Sequence, residues 1–428
     1  MKKHPLLHAL LLSASVSLTP AVLAAPATLE IGAETGKQFT DYVMANFNFG
    51  NWMQVYDFTK QFKEVKPAVL RFPGGNVGDE NDLTKDVLDV FVINQKLLEA
   101  PVSIIHTRVF ATKADSKNKP QDAADAVIAA HKLGIHPAYW EIGNEFDLFS
   151  SNRGDPSWTP ERYCATFRAQ REAILKVDPT AKFAGPAVSN TSARPEGMLE
   201  GVVAACGDVI DMLTWHIYPT DGKMSEEDAL DTIVEVDTSM ERHRKLWADK
   251  TANPLGYQRT IQFGVTEFGL SWQSRNERLI ADQTGALWAA EAAMRLAEGG
   301  AEHASYFALQ ATHGHGILGT SGEPRPTFYA YKLMKDLRGA AVAVKASDEN
   351  LWVHAAKKGK QLTLSVINRD TKTIELNPAI KGWKLTDGKA FNAKIAFDEV
   401  DFIKVPAKTG EPASMSPRSM AMFYYTAE

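Results

Sequence analysis
Between about Ala27 and Gly339 the chain alternates short apolar runs with amphipathic ones, and the alternation can be counted. Strand-like runs fall at residues 29–34, 68–72, 102–110, 136–143, 182–188, 211–218, 260–266 and 303–311. Helical periodicity follows most of them, as at 120–133, 160–177, 225–248 and 279–298. Eight strand–helix units with short apolar strands predict a (β/α)8 TIM barrel of the α/β class rather than an open doubly wound sheet. The Gly-rich dinucleotide turn is missing after the first strand, because Gly32 and Gly36 do not have its spacing. The last helix, 326–337, stops at Arg338-Gly339.

Beyond that stop the texture changes to short strands at 351–355, 362–368, 373–376, 393–397, 401–405 and 420–425, separated by Gly, Asn, Asp, Lys and Pro turns. Residues 340–428 therefore read as a C-terminal all-β sandwich beside a barrel spanning 25–339. A carbohydrate-binding module would use exposed aromatics, and Trp352, Trp383, Tyr424 and Tyr425 are the few on offer, so a scaffold packed on the barrel is the favoured reading.

At the N-terminus Lys2, Lys3 and His4 precede an apolar run over 5–23 that ends in Val22-Leu23-Ala24. That is the pattern of a secretory signal peptide over 1–24, with a mature chain starting at Ala25 and destined for secretion or the periplasm. No other apolar run is long enough for a membrane span, so no membrane insertion is expected. The net charge of −5 argues against a general nucleic-acid binder, which needs a basic face, but does not exclude an anionic polysaccharide in a locally basic cleft. The two cysteines, Cys164 and Cys206, lie in predicted helices after consecutive strands; a disulfide and two separate buried thiols both remain open.

The chemistry gathers at strand ends. Trp140-Glu141-Ile142-Gly143-Asn144-Glu145 closes the fourth strand and opens into a long loop, and Thr266-Glu267-Phe268-Gly269 closes the seventh. In a parallel barrel both strand ends open on one face. Retaining glycoside hydrolysis needs such a pair, one carboxyl as acid/base and one as nucleophile, about 5 Å apart. A single Asp or Glu is more often a solvated charge; the pairing at two strand ends is what points to hydrolysis.

These motifs resemble the retaining glycoside hydrolases of clan A, in which Asn-Glu on the fourth strand carries the acid/base and Glu on the seventh the nucleophile. The resemblance implies Glu145 as acid/base, Glu267 as nucleophile and Asn144 as the ligand of the sugar 2-hydroxyl. Trp215-His216-Ile217-Tyr218 is similar to the clan's His-x-Tyr, whose Tyr bonds the nucleophile, and Arg71 in Leu70-Arg71-Phe72-Pro73-Gly74-Gly75 matches the Arg that keeps the nucleophile ionised. Within the clan the motifs look most like the group of β-xylosidases, arabinofuranosidases and heparanase-type β-glucuronidases. The eighth strand departs from the Trp platform common in the clan, having Phe307-Ala308-Leu309-Gln310 instead, before Thr312-His313-Gly314-His315.

Other residues carry lesser expectations. Glu141 reads as a buried partner of Arg71 or of a neighbouring residue, and His106 as either packed or near the cleft. Trp52, Trp140 and Trp272 are candidate sugar platforms, Trp272 foremost, and Gly74-Gly75-Asn76 a tight turn close to substrate. Gln310 and His313 are expected to support substrate binding. His313 and His315 lack nearby carboxylate or Cys partners, so sugar binding is a better reading than a metal site. The expected function is a retaining glycosidase with no cofactor, no metal and no obligate protein partner, acting on a carbohydrate substrate. The expected bond is β-glycosidic, in a poly- or oligosaccharide, uronic-acid-containing ones included. The alternatives are an α-L-arabinofuranosidase and an inactive carbohydrate-binding barrel.

Overall fold
The structure, a computed structural model, describes residues 25–190, 197–273, 277–311, 314–392, 403–404 and 411–428. The proposed signal peptide, His313 and the strand expected at 393–397 lie outside the described residues.

Eight parallel strands close into a barrel: β2 (Asn46–Asn48), β3 (Val69–Phe72), β4 (Val102–Thr107), β5 (Tyr139–Ile142), β6 (Phe183–Asn190), β7 (Met212–Ile217), β8 (Gln262–Phe268) and β9 (His303–Tyr306). Every residue of β3, β5, β7 and β9 is buried, as a parallel strand covered on both faces must be. The outer layer is helical, and its starts are legible in sequence. Thr159 accepts from the Arg162 N–H ahead of the helix Pro160–Leu175, whose first residue is Pro. The expected helix at 225–248 is broken in two, Glu226–Asp231 and Val234–Ala248. No helix among the described residues is long and apolar enough to cross a membrane.

One expected barrel strand is corrected. The run placed at 29–34 belongs to β1 (Leu29–Phe39), which pairs antiparallel with β10 (Gly339–Ala346) at the edge of the C-terminal sheet. Its residues are mostly exposed, which a barrel strand cannot be. The first barrel strand is β2, Asn-Phe-Asn, fully buried with its two polar side chains bonded: Asn46 Oδ1 accepts from Ser305 Oγ, and Asn48 donates to the Thr266 and Ser305 carbonyls. Those inward asparagines disguise it as a loop in the sequence.

The C-terminal region is a seven-stranded antiparallel sheet in the order β1-β10-β11-β12-β17-β14-β15, with β11 at Leu351–Lys358, β12 at Gln361–Asn368, β14 at Trp383–Phe391, β15 at Ile403–Lys404 and β17 at Ser419–Ala427. A two-stranded ribbon, β13 (Ile374–Leu376) with β16 (Ala413–Met415), completes the sandwich. Strand alternation divides the cores: Met420 and Met422 join the barrel's apolar cluster, while Ala421, Phe423 and Tyr425 face the ribbon. Three strands, β10, β14 and β16, escape the sequence reading. In β14 the reason is Asp387-Gly388, which reads as a turn but forms an irregular pairing between Leu385 and Asp387.

Three of the four aromatics that a binding module could use are occupied. Trp352 is 8% exposed beneath the Arg369 guanidinium, Tyr424 donates to Asp336 of the barrel domain, and Tyr425 is buried with its hydroxyl on the Pro378 carbonyl. The scaffold reading fits this arrangement. Cys164 and Cys206 are disulfide-bonded, closing a 42-residue separation, which by loop-entropy reasoning stabilises the fold by about 4 kcal/mol.

A buried charge cluster ties the sheet to the barrel. His354 of β11 lies 2.9 Å from Glu291 and 3.1 Å from Glu298 of the helix Gln283–Gly299, and Arg295 also holds Glu291 at 2.7 Å. Burial opposes a charge on His354, but the two glutamates outweigh it and push its pKa up from 6.5 to about 10. Because the folded value is raised, this stabilisation is complete below the unfolded pKa near 6.5 and is lost as pH rises through about 10. Thermal midpoints should therefore fall between pH 7 and 10, and His354→Gln should flatten that decline; an equal decline in both proteins would reject the assignment.

Candidate active site
The site forms where the barrel strands end. Arg71 on β3, 0% exposed, is its hub. Its Nε donates to Glu141 Oε2 at 2.7 Å, Nη1 to Glu267 Oε1 at 2.7 Å and to Asn48 Oδ1 at 2.9 Å, and Nη2 to Asn144 Oδ1 at 2.8 Å. Burial works against the guanidinium charge, but Glu141 and Glu267 outweigh it, so the Arg71 pKa is raised. The sequence expectation for Glu141 as a buried partner of Arg71 is met in this geometry.

Glu267 is gripped from both sides, since Tyr218 donates to its other oxygen at 2.8 Å. Burial and then the Glu267 charge push the Tyr218 phenol well above 10, so it stays a donor. Glu145 sits three residues beyond β5 in the left-handed region, φ 43° and ψ 42°, and caps the single turn Phe146–Leu148. Its Oε1 shares a hydrogen bond of 2.8 Å with His216 Nδ1. Burial lowers the His216 pKa, which favours the neutral imidazole. Oxygen atoms of Glu145 and Glu267 and a ring nitrogen of His216 all lie within 4.8 Å of one another. That spacing would also suit a cation; among the described residues Glu267 bonds Arg71 and Tyr218, and Glu145 bonds His216.

The carboxylates open on a cleft of about 270 Å³ lined by Gly75, Asn76, Leu148, Asn152, Ser189, Trp272, Phe307 and His315, besides Glu145, Tyr218 and Glu267. Gly75, at φ 61°, is required there: a Cβ would stand 3.1 Å from the Phe307 ring and 3.5 Å from Glu267 Oε1. Asn144 is fully buried behind the cleft, and its Nδ2 has no hydrogen-bond partner among the described residues.

Of the candidate residues, Arg71, Asn144, Glu145, His216, Tyr218, Glu267 and Trp272 come together; Trp272 is 44% exposed. Gln310 does not face the cleft. It accepts from the Gln54 N–H and donates to the Gly319 and Thr320 carbonyls, so it braces loops instead. Trp140 is 1% exposed and cannot be a platform, while Trp52 is exposed on the loop after β2 but outside the cleft lining. His106 is packed against Gly78 and its pKa is driven well below 6.5, mainly by burial. Sequence reasoning missed Asn48, hidden by the misplaced first strand, and Asp79, Asp147 and Ser189 around Glu145. For Asp147 the available signal was its place two residues past the Asn-Glu pair.

The barrel with its appended antiparallel sheet is the fold of solved glycosidases to which the chain is structurally similar. The chain is 24% identical over 269 residues to heparanase from Rattus norvegicus, an alignment covering 56% of this chain and 46% of that protein. It therefore spans less than half the length of the curated relatives it matches. No family model matches it. Its structure is similar to an α-L-arabinofuranosidase from Thermotoga maritima, with a TM-score of 0.70 and 16% identity over 92% of this chain and 99% of that one. It is also similar to a monomeric β-xylosidase from Caulobacter crescentus, with a TM-score of 0.66 and 15% identity over 94% of this chain and 99% of that one.

Proposed function
We propose that this protein is an exported retaining glycosidase that cleaves β-glycosidic bonds in a poly- or oligosaccharide, uronic-acid-containing ones included. The observation that carries the reading is the pair Glu145 and Glu267, with oxygens within 4.8 Å, held by different partners. A separation near 5 Å suits double displacement, whereas inversion needs room for a water between the carboxyls. Glu267, ion-paired to Arg71 and aligned by Tyr218, attacks the anomeric carbon. Glu145 protonates the departing glycosidic oxygen. It then takes a proton from the water that releases the sugar from Glu267, and both carboxyls regain their starting states. In this reading Asn144 donates to the 2-hydroxyl, and Trp272 offers an aromatic face to a sugar ring. No cofactor enters these steps.

The likeness to an α-L-arabinofuranosidase structure supports a second reading, an α-L-arabinofuranosidase, because the same carboxylates serve both linkages. Export is supported by the basic-then-apolar pattern of residues 1–24 and by the Cys164–Cys206 disulfide, a bond suited to an oxidising compartment.

The test is product release from a panel of plant, bacterial and glycosaminoglycan polysaccharides and aryl glycosides, with the product anomer followed by proton NMR. Release of a sugar with its anomeric configuration kept is expected. Inversion would reject the double-displacement mechanism, and release from α-L-arabinofuranosides alone would install the second reading. Silence across the panel would favour a binding-only barrel.

A further inference from the structure
The proposed catalytic steps leave a buried carboxyl unused. Asp147, 8% exposed, lies two residues past Glu145 on the turn that Glu145 caps. It accepts from the Ser189 N–H at 3.1 and 3.3 Å and from the Ser189 hydroxyl at 2.5 Å. The Glu145 N–H donates to the Ala187 carbonyl at 2.9 Å. The Glu145 backbone and the Asp147 side chain thus grip the same strand, β6, at alternate residues. Glu145 holds a left-handed conformation that costs a non-glycine residue energy, and such a conformation persists where surrounding contacts enforce it. These two attachments enforce it.

Charge adds a second role. Glu145 is faced by His216 from β7, by Glu267 and the Tyr218 hydroxyl that bonds it, by Asp79 on the turn Val77–Glu80, and by Asp147 from its own turn. Burial lowers the His216 pKa, and it drives Asp79 well above the usual carboxyl range despite Arg153, Arg71 and Arg108 nearby. Asp147 differs. Burial and then Glu145 push it up to about 6, with the Ser189 donors and His216 pulling against them, so it is ionised near neutrality. A carboxylate there disfavours a second charge on Glu145.

We propose that Asp147, clamped to Ser189, is a positioning residue that fixes the Glu145 turn and sets the pH above which Glu145 loses the proton it must donate. The inference rests on Glu145 being the acid/base. Asp147→Asn keeps an oxygen for Ser189 while removing the charge. The alkaline limb of its kcat–pH profile, on whichever glycoside the panel yields, should move down by about one pH unit. A rate lowered equally at every pH, with the limb in place, would overturn the charge role.

A carboxyl-carbon NMR titration of the wild-type protein tests the same coupling without relying on the variant to fold. Glu145 should titrate in two steps, one coincident with Asp147; a single step indifferent to Asp147 would reject the proposal. Because that titration needs no turnover, a protein that cleaves nothing would sink the glycosidase reading while leaving this coupling separately decided.

Discussion

Glu267→Gln is expected to lower kcat by at least about 10⁴-fold, roughly 5 kcal/mol of transition-state stabilisation, on every substrate the wild type cleaves. The amide is nearly isosteric but cannot form the glycosyl ester. Glu145→Gln should behave differently. Protonating the leaving oxygen matters most for a sugar alcohol, which departs poorly as an alkoxide, and little for an activated aryl group. The Glu145 variant should therefore lose natural-glycan cleavage far more than the formation of the glycosyl-enzyme from a dinitrophenyl glycoside. Measuring the release burst against steady-state turnover on both substrate types separates the two roles. Equal losses for both substrate types would remove Glu145 from acid duty, and a Glu267→Gln protein retaining a tenth of its activity would remove the nucleophile.

Arg71→Met should be the most destabilising single change at the site. Arg71, Glu141 and Glu267 form a buried triad with side-chain exposures of 0%, 0% and 6%. Taking away the cation leaves two carboxylates in the barrel without their counter-charge, a cost of about 3–5 kcal/mol. The variant's urea midpoint should fall accordingly, and turnover with it, because Glu267 loses the group that aligns and neutralises it. Adding Glu141→Leu to Arg71→Met should recover part of the stability, since one stranded charge is gone, but none of the activity. A double variant no more stable than Arg71→Met would mean that Glu141 draws its stability from something other than Arg71. Full activity in Arg71→Met would reject the assigned support of the nucleophile.

Much of the site was legible before any coordinates because strand ends in a parallel barrel share one face. Glu145 and Glu267 are 122 residues apart in the chain, yet counting strands is enough to predict that they meet. Arg71 and the His216–Tyr218 pair were legible for the same reason, with the clan resemblance supplying their roles. The errors also have physical causes. Counting apolar runs favoured 29–34 over β2, whose inward asparagines are satisfied by Arg71, the Ser305 hydroxyl and three carbonyls rather than by apolar packing. Gln310 looked like a sugar ligand because it is polar at a strand end; only the path of the loops after β2 and β9 shows its amide spent on Gln54, Gly319 and Thr320.

Local sequence pattern suffices for the barrel class and for the meeting of the two strand-end carboxylates, since burial on both faces writes itself into short apolar strands and capped helices, and strand order then brings the carboxylates together. How those carboxylates are held is visible only in the folded barrel. The β7–β8 pairing slips by one residue between Trp215 and His216, so that His216 stands opposite Glu267 rather than Thr266. Glu145 leaves its strand in a left-handed turn tied to β6, its own N–H on the Ala187 carbonyl and Asp147 on Ser189. A register shift and a clamp between strands remote in the chain are set by hydrogen-bond geometry across the barrel, which no local pattern of side chains encodes.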